Sequence, residues 1–119
     1  MKQGLVLLLF FIVAFNSFSQ KAVLLTEKES IIAQATKELD ASIQSGELKE
    51  FVTENNIKGE YIFDITIHEK GKVLTVFVVS SDGDDMSKQN LLKTKVREFQ
   101  FNFKMPKGKS YKFQYIFDL

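Results

Sequence analysis

The chain holds few side chains that could do chemistry. Its single histidine is His68, and it has no cysteine. A histidine acts as a base only with an oriented partner, and His68 is predicted to lie beside a turn, in solvent. The composition excludes thiol catalysis, disulfides and cysteine-bound metals. No Gly-rich phosphate loop, nucleophile elbow, zinc-binding helix pair or carboxylate dyad is found. The sequence therefore predicts no enzyme, no cofactor and no metal site.

A short acidic turn contains Asp82, Asp84 and Asp85, whose carboxylates could hold a hard cation such as Ca²⁺. Its spacing departs from the EF-hand loop, because Gly83 stands at the second position and Lys93 at the twelfth, where a Glu is required. A solvated turn whose last aspartates cap the next helix is favoured instead.

The segment from Met86 to Lys112 is strongly basic. Its one acidic residue is Glu98, and its eight cationic residues are Lys88, Lys93, Lys95, Arg97, Lys104, Lys107, Lys109 and Lys112. One interpretation is a surface for an acidic protein, anionic lipid or polysaccharide, with no nucleic acid expected. The other, which we favour, is a solvated surface that balances the acidic residues between Glu27 and Glu60.

The first 19 residues are predicted to be an export signal. Lys2 precedes an unbroken apolar run of 11 residues, Leu5–Phe15, and Asn16–Ser19 supplies small residues before a cut ahead of Gln20. That run is short for a membrane span, which needs about 20 residues, and an uncleaved anchor is the alternative. No cysteine follows the cut, so a lipid anchor is not expected. We expect a periplasmic or secreted protein without a stable membrane span.

Residues 20–56 are predicted to be a helical leader. A capping box at Thr26 and Glu29 begins a helix that runs to Ser45. Its inward face is read from apolar residues at helical spacing, namely Ile32, Ala35, Leu39 and Ile43. A second short helix is predicted over Glu47–Glu54.

The stretch Tyr61–Ser81 is predicted to form a β-hairpin with its turn at Lys70–Gly71. The pairs that make its apolar face are Ile67 with Leu74, Ile65 with Val76, and Phe63 with Val78. The second face is mixed, with Ile62, Asp64, Thr66 and His68 beside Val73, Thr75, Phe77 and Val79. We expect that face to be partly covered, by the first helix or by a partner, because a solvated sheet would alternate more strictly; internal cover is favoured.

The remainder predicts a helix over Met86–Phe99 and a last strand over residues 111–119. Its inward side chains are Leu91, Leu92, Val96 and Phe99, followed by Phe101, Phe103 and Met105 in alternation. Because this helix returns the chain to the far end of the sheet, the last strand pairs beside the first. The prediction is an α+β fold with a ββαβ core over residues 57–119, an antiparallel three-stranded sheet of order 2-1-3, and N-terminal helices packed on it.

Five short motifs follow one another in residues 59–119: Gly71–Val73, Ser80–Ser81, Leu91–Leu92, Phe103–Pro106 and Tyr115–Phe117. Together they resemble the C-terminal domain of TonB-type energy transducers. The membrane anchor, Pro-rich linker and aromatic-proline segment of that family are not matched.

In that family the domain binds an extended peptide of an outer-membrane transporter, which adds to the edge of the last strand. The resemblance implies an exported, non-enzymatic module that binds protein by strand addition. Its predicted edge comprises Ser110, Tyr111, Lys112, Phe113, Gln114, Tyr115, Ile116 and Phe117.

Two other functions stay open. A structural envelope protein would self-associate, for instance as a homodimer, through the same edge or the face of Phe77 and Val79. A small-ligand carrier or enzyme would use a pocket between the first helix and the sheet, lined by Leu39, Ile43 or Phe51.

Overall fold

The computed structural model describes residues 23–82 and 85–119, so the predicted export signal and Asp84 lie outside the described residues. In chain order the elements are β1 (Val23–Leu24), α1 (Lys28–Ser45), α2 (Glu47–Glu54), β2 (Glu60–His68), β3 (Lys72–Ser81), α3 (Met86–Arg97), β4 (Phe103–Lys104) and β5 (Ser110–Asp118). The described part is therefore α+β, with three helices and a three-stranded antiparallel sheet, and the predicted class is confirmed. None of these helices has the length and apolar character needed to cross a bilayer.

The three-stranded sheet is centred on β2, which pairs antiparallel with β3 on one side and with β5 on the other. Strands β2 and β3 are joined by the predicted turn, in which the N–H of Gly71 donates to the carbonyl of His68 at 2.8 Å. Gly71 has a φ of 73°, in the left-handed region that glycine adopts without a Cβ clash.

Two β-bulges change the predicted register of this hairpin. Two of the three predicted pairs are present, but Ile67 pairs with Val73 and not with Leu74. The ladder skips Leu74 and Val79, so each is the extra residue of a bulge in β3. Leu74 is thereby turned out of the apolar face and is 53% exposed, which makes its predicted burial wrong.

One hydrophobic core joins the inner face of the sheet to all three described helices. Its largest fully buried side chains are Tyr61, Phe63, Phe101, Phe103, Phe117, Ile31, Leu39, Leu48, Ile65, Ile67, Leu92 and Val96. Edge-to-face ring contacts run through it, with centroids 5.3 Å apart for Phe63 and Phe117 and 4.7 Å apart for Tyr115 and Phe117.

Helix α1 differs from its prediction at its start and in its buried face. Its N-cap is Glu27, which makes no side-chain cap bond, so the predicted capping box at Thr26 is wrong. The buried residues are Ile31, Ala35, Leu39 and Ser42, whereas Ile32 and Ile43 are only half-buried. Ser42 belongs to the buried face because its Oγ accepts the N–H of Leu48, at the start of α2, at 3.0 Å.

Helix α3 begins at the predicted residue and ends at Arg97, two residues early. Its N-cap is Asp85, whose pKa is held below its usual value by hydrogen bonds from the Ser87 side chain and backbone N–H. Leu91 is 41% exposed and does not point inward, in contrast to the prediction.

The segment after α3 packs under the hairpin turn. Phe101, Phe103 and Met105 are buried in alternation, as predicted. Its short strand β4 pairs in parallel with β1, and the N–H of Leu25 donates to the carbonyl of Lys104 at 2.8 Å. No pattern in the sequence predicts β1.

Candidate functional site

Strand β5 is a regular edge strand over its whole length. It pairs with β2 without a register shift, from Ser110 opposite His68 to Asp118 opposite Glu60. No other strand in the described part of the chain pairs with β5. Its second side therefore lacks a β-ladder.

The direction of each β5 backbone group follows from the end of the ladder. Gly59 and Leu119 exchange two hydrogen bonds, N–H to carbonyl in both directions, at 3.0 and 2.9 Å. Hydrogen-bonded pairs alternate along an antiparallel ladder, so the odd-numbered residues of β5 bond to β2. The even-numbered residues, Lys112, Gln114 and Ile116 among them, direct their N–H and C=O groups away from the sheet.

The eight predicted edge residues divide by the direction of their side chains. Phe113, Tyr115 and Phe117 are buried in the core, and Tyr111 is half-buried. The exposed side chains are those of Ser110, Lys112, Gln114 and Ile116. A strand added here would meet backbone groups along the edge and, on the solvent side, these four exposed side chains.

Tyr115 links β5 to α1. Its hydroxyl donates to Oδ1 of Asp40 at 2.5 Å, while its ring is only 8% exposed. Burial first, and then the hydrogen bond and negative charge of Asp40, raise the pKa of Tyr115 above its usual value near 10. This contact holds the edge strand against the first helix.

Replacing Tyr115 with phenylalanine is expected to lower the free energy of unfolding at neutral pH by about 1 kcal/mol, because Asp40 is exposed and part of the bond's strength is screened. The raised pKa means that the unfolded state loses its proton first. The stabilisation is therefore full below pH 10 and is lost as the pH rises above it. Denaturation midpoints between pH 7 and 12 measure this loss.

The matched control is Tyr111→Phe, since the Tyr111 hydroxyl makes no hydrogen bond within the described residues. We expect this variant to keep the alkaline loss of stability, and Tyr115→Phe to reduce it. Equal alkaline slopes in the two variants would contradict the assignment to Tyr115.

The outer face of the sheet, the one turned away from the helices, exposes apolar side chains. Phe77 is 68% exposed, Leu74 53%, Ile116 52% and Val79 47%. The predicted internal cover of this face is therefore wrong for the described part of the chain. Ile62, between β3 and Ile116, is half-buried.

The side chains considered for chemistry, His68 and the aspartates of the acidic turn, do not come together in one site. His68 is half-buried at the end of β2, and its side chain has no hydrogen-bond or ion-pair partner among the described residues. Asp82 accepts the N–H of Glu60 at 2.8 Å, and Asp85 caps α3, so both have roles in the fold. Residues 23–82 and 85–119 contain no group of three His, Asp or Glu side chains placed to hold a metal.

The pocket predicted between the first helix and the sheet is not found at Leu39, whose side chain is fully buried and lines none of the described cavities. Ile43 instead lines an open groove of about 430 Å³ where the helices meet the end of β5. Lys49, Lys58 and Asp118 stand at this groove. Its polar groups do not include a buried side chain directed inward, so it gives no support to a carrier or an enzyme.

The basic segment is partly used within the fold. Lys88 Nζ donates to the carbonyl of Asn55 at 2.5 Å, and Lys95 pairs with Glu47 at 3.1 Å. The Lys95 ammonium also lies 5.5 Å from the centroid of the Phe51 ring. These two lysines bind the second helix to α3, which the charge pattern alone could not reveal.

Comparisons of the chain with models of known protein families, with curated proteins and with solved structures find no match.

Proposed function

We infer that this chain is an exported module that binds another protein, through an extended segment that adds to the free edge of β5. The observation that carries the proposal is the regular edge of β5, which no strand of residues 23–82 and 85–119 pairs with and where alternate N–H and C=O groups point outward. Such groups bind an extended backbone, and alternate side chains supply selectivity. The binding is non-enzymatic and needs no cofactor.

The other edge of the sheet is less suited to strand addition. Its two bulges interrupt the regular spacing of the outward groups of β3, and α3 packs against that strand. A partner strand would therefore choose β5. The strand order β3-β2-β5, with α3 between β3 and β5 in the chain, supports a TonB C-terminal-like ββαβ arrangement within this proposal.

The test is proline at Gln114, whose N–H points outward and takes no part in the ladder with β2. We expect Gln114→Pro to fold but to weaken partner binding at least about ten-fold, because it removes a donor and places a ring at the edge. The matched control Gln114→Ala removes the side chain and keeps the N–H, so it should bind like the parent.

The measurement starts from capture out of bacterial envelope extract by the parent and both variants. A protein captured by the parent and the alanine variant, and lost with proline, is identified by mass spectrometry and titrated. Amide exchange by NMR then follows the edge, where the N–H groups of Lys112, Gln114 and Ile116 should become protected by the partner. Unchanged exchange at these amides in the complex, or equal capture by all three proteins, would contradict strand addition.

A second candidate is a homodimer through the same edge. Lys112 and Asp118 are both exposed even-numbered residues of β5, so antiparallel pairing of two copies can set Lys112 of each opposite Asp118 of the other. Analytical ultracentrifugation distinguishes the candidates, since this dimer predicts a concentration-dependent mass that Gln114→Pro abolishes without any partner.

A further inference from the structure

Six lysines lie together at the end of the sheet that holds the hairpin turn. This basic end comprises Lys70, Lys72, Lys104, Lys107, Lys109 and Lys112. Two backbone bonds hold the segments together: the N–H of Phe101 donates to Gly71 at 2.9 Å, and the N–H of Met105 to Glu69 at 2.8 Å. The start of β5 joins them, because Ser110 pairs with His68.

The basic end is not neutralised within the described part of the chain. All six lysine side chains are exposed, and none has an acidic side chain within ion-pair distance among the described residues. Glu69 is the one acidic residue in segments 68–74 and 100–112, which leaves a local charge of +5. By contrast, Lys88 and Lys95 are held in contacts of the fold. Other exposed cationic groups, such as those of Lys28, Lys37 and Lys49, lie on the helices, so the basic end is the place where six of them lie together.

Exposed apolar side chains lie on the outer face next to the basic end. Lys72 pairs with His68, and Lys112 with Thr66, so both lysines stand on that same face. Along β3, Leu74 and Phe77 follow Lys72, and they are 53% and 68% exposed. Lys72 therefore precedes the apolar pair on β3, and Lys112 lies two strands away in the row of Thr75. The cross-strand neighbour of Phe77 is Asp64, which is half-buried.

We propose that the basic end and the adjoining outer face bind the surface of an anionic lipid bilayer. Apolar side chains enter the headgroup region while lysines bind anionic headgroups, and each contribution strengthens the other. The long lysine side chains reach the headgroups while Leu74 and Phe77 enter below them. This surface shares Lys112 with the edge of β5 but does not depend on strand addition.

The apolar residues distinguish a bilayer from other polyanions. A polysaccharide would use the lysines and leave Leu74 and Phe77 in water. A second copy stacked on this face would bury about 400 Å² per copy, from three strands spaced about 4.8 Å and rising about 3.3 Å per residue. That is roughly half of the 800 Å² per partner typical of a stable complex. A bilayer satisfies both the charge and the apolar surface.

The opposite end of the sheet fixes the orientation. Glu60, Asp82 and Asp118 are exposed there, at the far ends of the three strands. Repulsion from anionic headgroups keeps this end away from the bilayer, so the sheet is tilted with its basic end down.

The experiment measures binding of the full chain, exported by a bacterial host, to vesicles of phosphatidylcholine and of phosphatidylcholine with one third phosphatidylglycerol. The test variant Lys70→Gln/Lys107→Gln/Lys109→Gln changes turn residues only. Each lysine near an anionic surface contributes roughly five-fold in affinity, so we expect a loss of about 100-fold on the anionic vesicles. Salt that shortens the Debye length to about 3 Å should reduce parent binding as well.

The matched control is Lys28→Gln/Lys37→Gln/Lys49→Gln, which removes the same charge from exposed positions on α1 and α2. It should bind like the parent, and because all variants are exported and processed in the same way, any contribution of the N-terminal segment cancels. A double variant, Leu74→Gln/Phe77→Gln, should lose roughly ten-fold by withholding apolar surface.

Three results would overturn the proposal. The first is parent binding that does not increase with phosphatidylglycerol. The second is an equal loss in the two triple-lysine variants, which would mean that overall charge alone matters. The third is full vesicle binding by the Leu74 and Phe77 variant together with competition by dextran sulfate, which would assign a polyanion-binding surface without an apolar contact.

Discussion

The substitution Gly71→Ala is expected to lower the free energy of unfolding by about 2–5 kcal/mol, because a side chain at this positive φ is strained and its Cβ would overpack the turn. A Cβ at this position would lie 2.3 Å from the carbonyl oxygen of Phe103 and 2.9 Å from that of Phe101. Both residues have fully or nearly fully buried side chains, so the strand beneath the turn cannot move aside without disturbing the core. Urea denaturation of the variant and the parent measures the difference.

Gly108 provides the matched control for that substitution. Its φ is 77°, close to that of Gly71, but in the described part of the chain no atom beyond the two adjacent residues lies within 4 Å of its Cβ position. Gly108→Ala should therefore cost only the left-handed strain, about 1 kcal/mol. If the two variants lost the same stability, the close approach of the turn to Phe101 and Phe103 would not be what constrains Gly71.

Phenylalanine at position 63 should be among the most sensitive sites of the core. Phe63 is fully buried on the central strand and contacts the ring of Phe117 edge to face. Phe63→Ala is expected to lower the free energy of unfolding by about 3–5 kcal/mol, through lost burial and the cavity it leaves. In a domain of about 100 residues this corresponds to a fall in Tm of roughly 15 °C or more.

Phe77 makes the comparison informative, because it lies on the neighbouring strand and on the opposite face. At 68% exposure it contributes little packing, so Phe77→Ala should change stability by less than about 0.5 kcal/mol. A large loss there would show that the outer face is covered after all, as the sequence alone had predicted.

The sequence predicts the pairing of this fold better than its irregular features. Strict alternation in β5 and the turn at Gly71 indicate the right strands, since a period of two leaves one choice of inward face. The bulges at Leu74 and Val79 could not be anticipated, because both are ordinary apolar strand residues and nothing in the alternation marks an extra residue. The exposure of the outer face was missed because its apolar side chains suggest cover, whereas the described helices join the core on the other face.

The helices show a similar limit. The apolar spacing in α1 identifies the helix and two of its buried residues, Ala35 and Leu39. It misses Ile31 and Ser42, and Ser42 is buried where its Oγ accepts the N–H of Leu48. The two proposed surfaces also differ in how far the sequence predicts them. The edge of β5 could be predicted from topology, whereas the basic end could not. It brings Lys70 and Lys72 together with lysines some 35 residues further along the chain, and only the packed turn places them side by side.

The bulges in β3 have a consequence for assembly. A sheet with two regular edges can accept a strand on each side, and repeated addition then builds an open-ended fibre. Here one edge is irregular and packed against α3, and the other is regular. A two-fold pair of copies joined through β5 would leave only the bulged β3 edges outermost, where a further copy would meet no regular ladder. In such a pair the irregular edge would stop polymerisation.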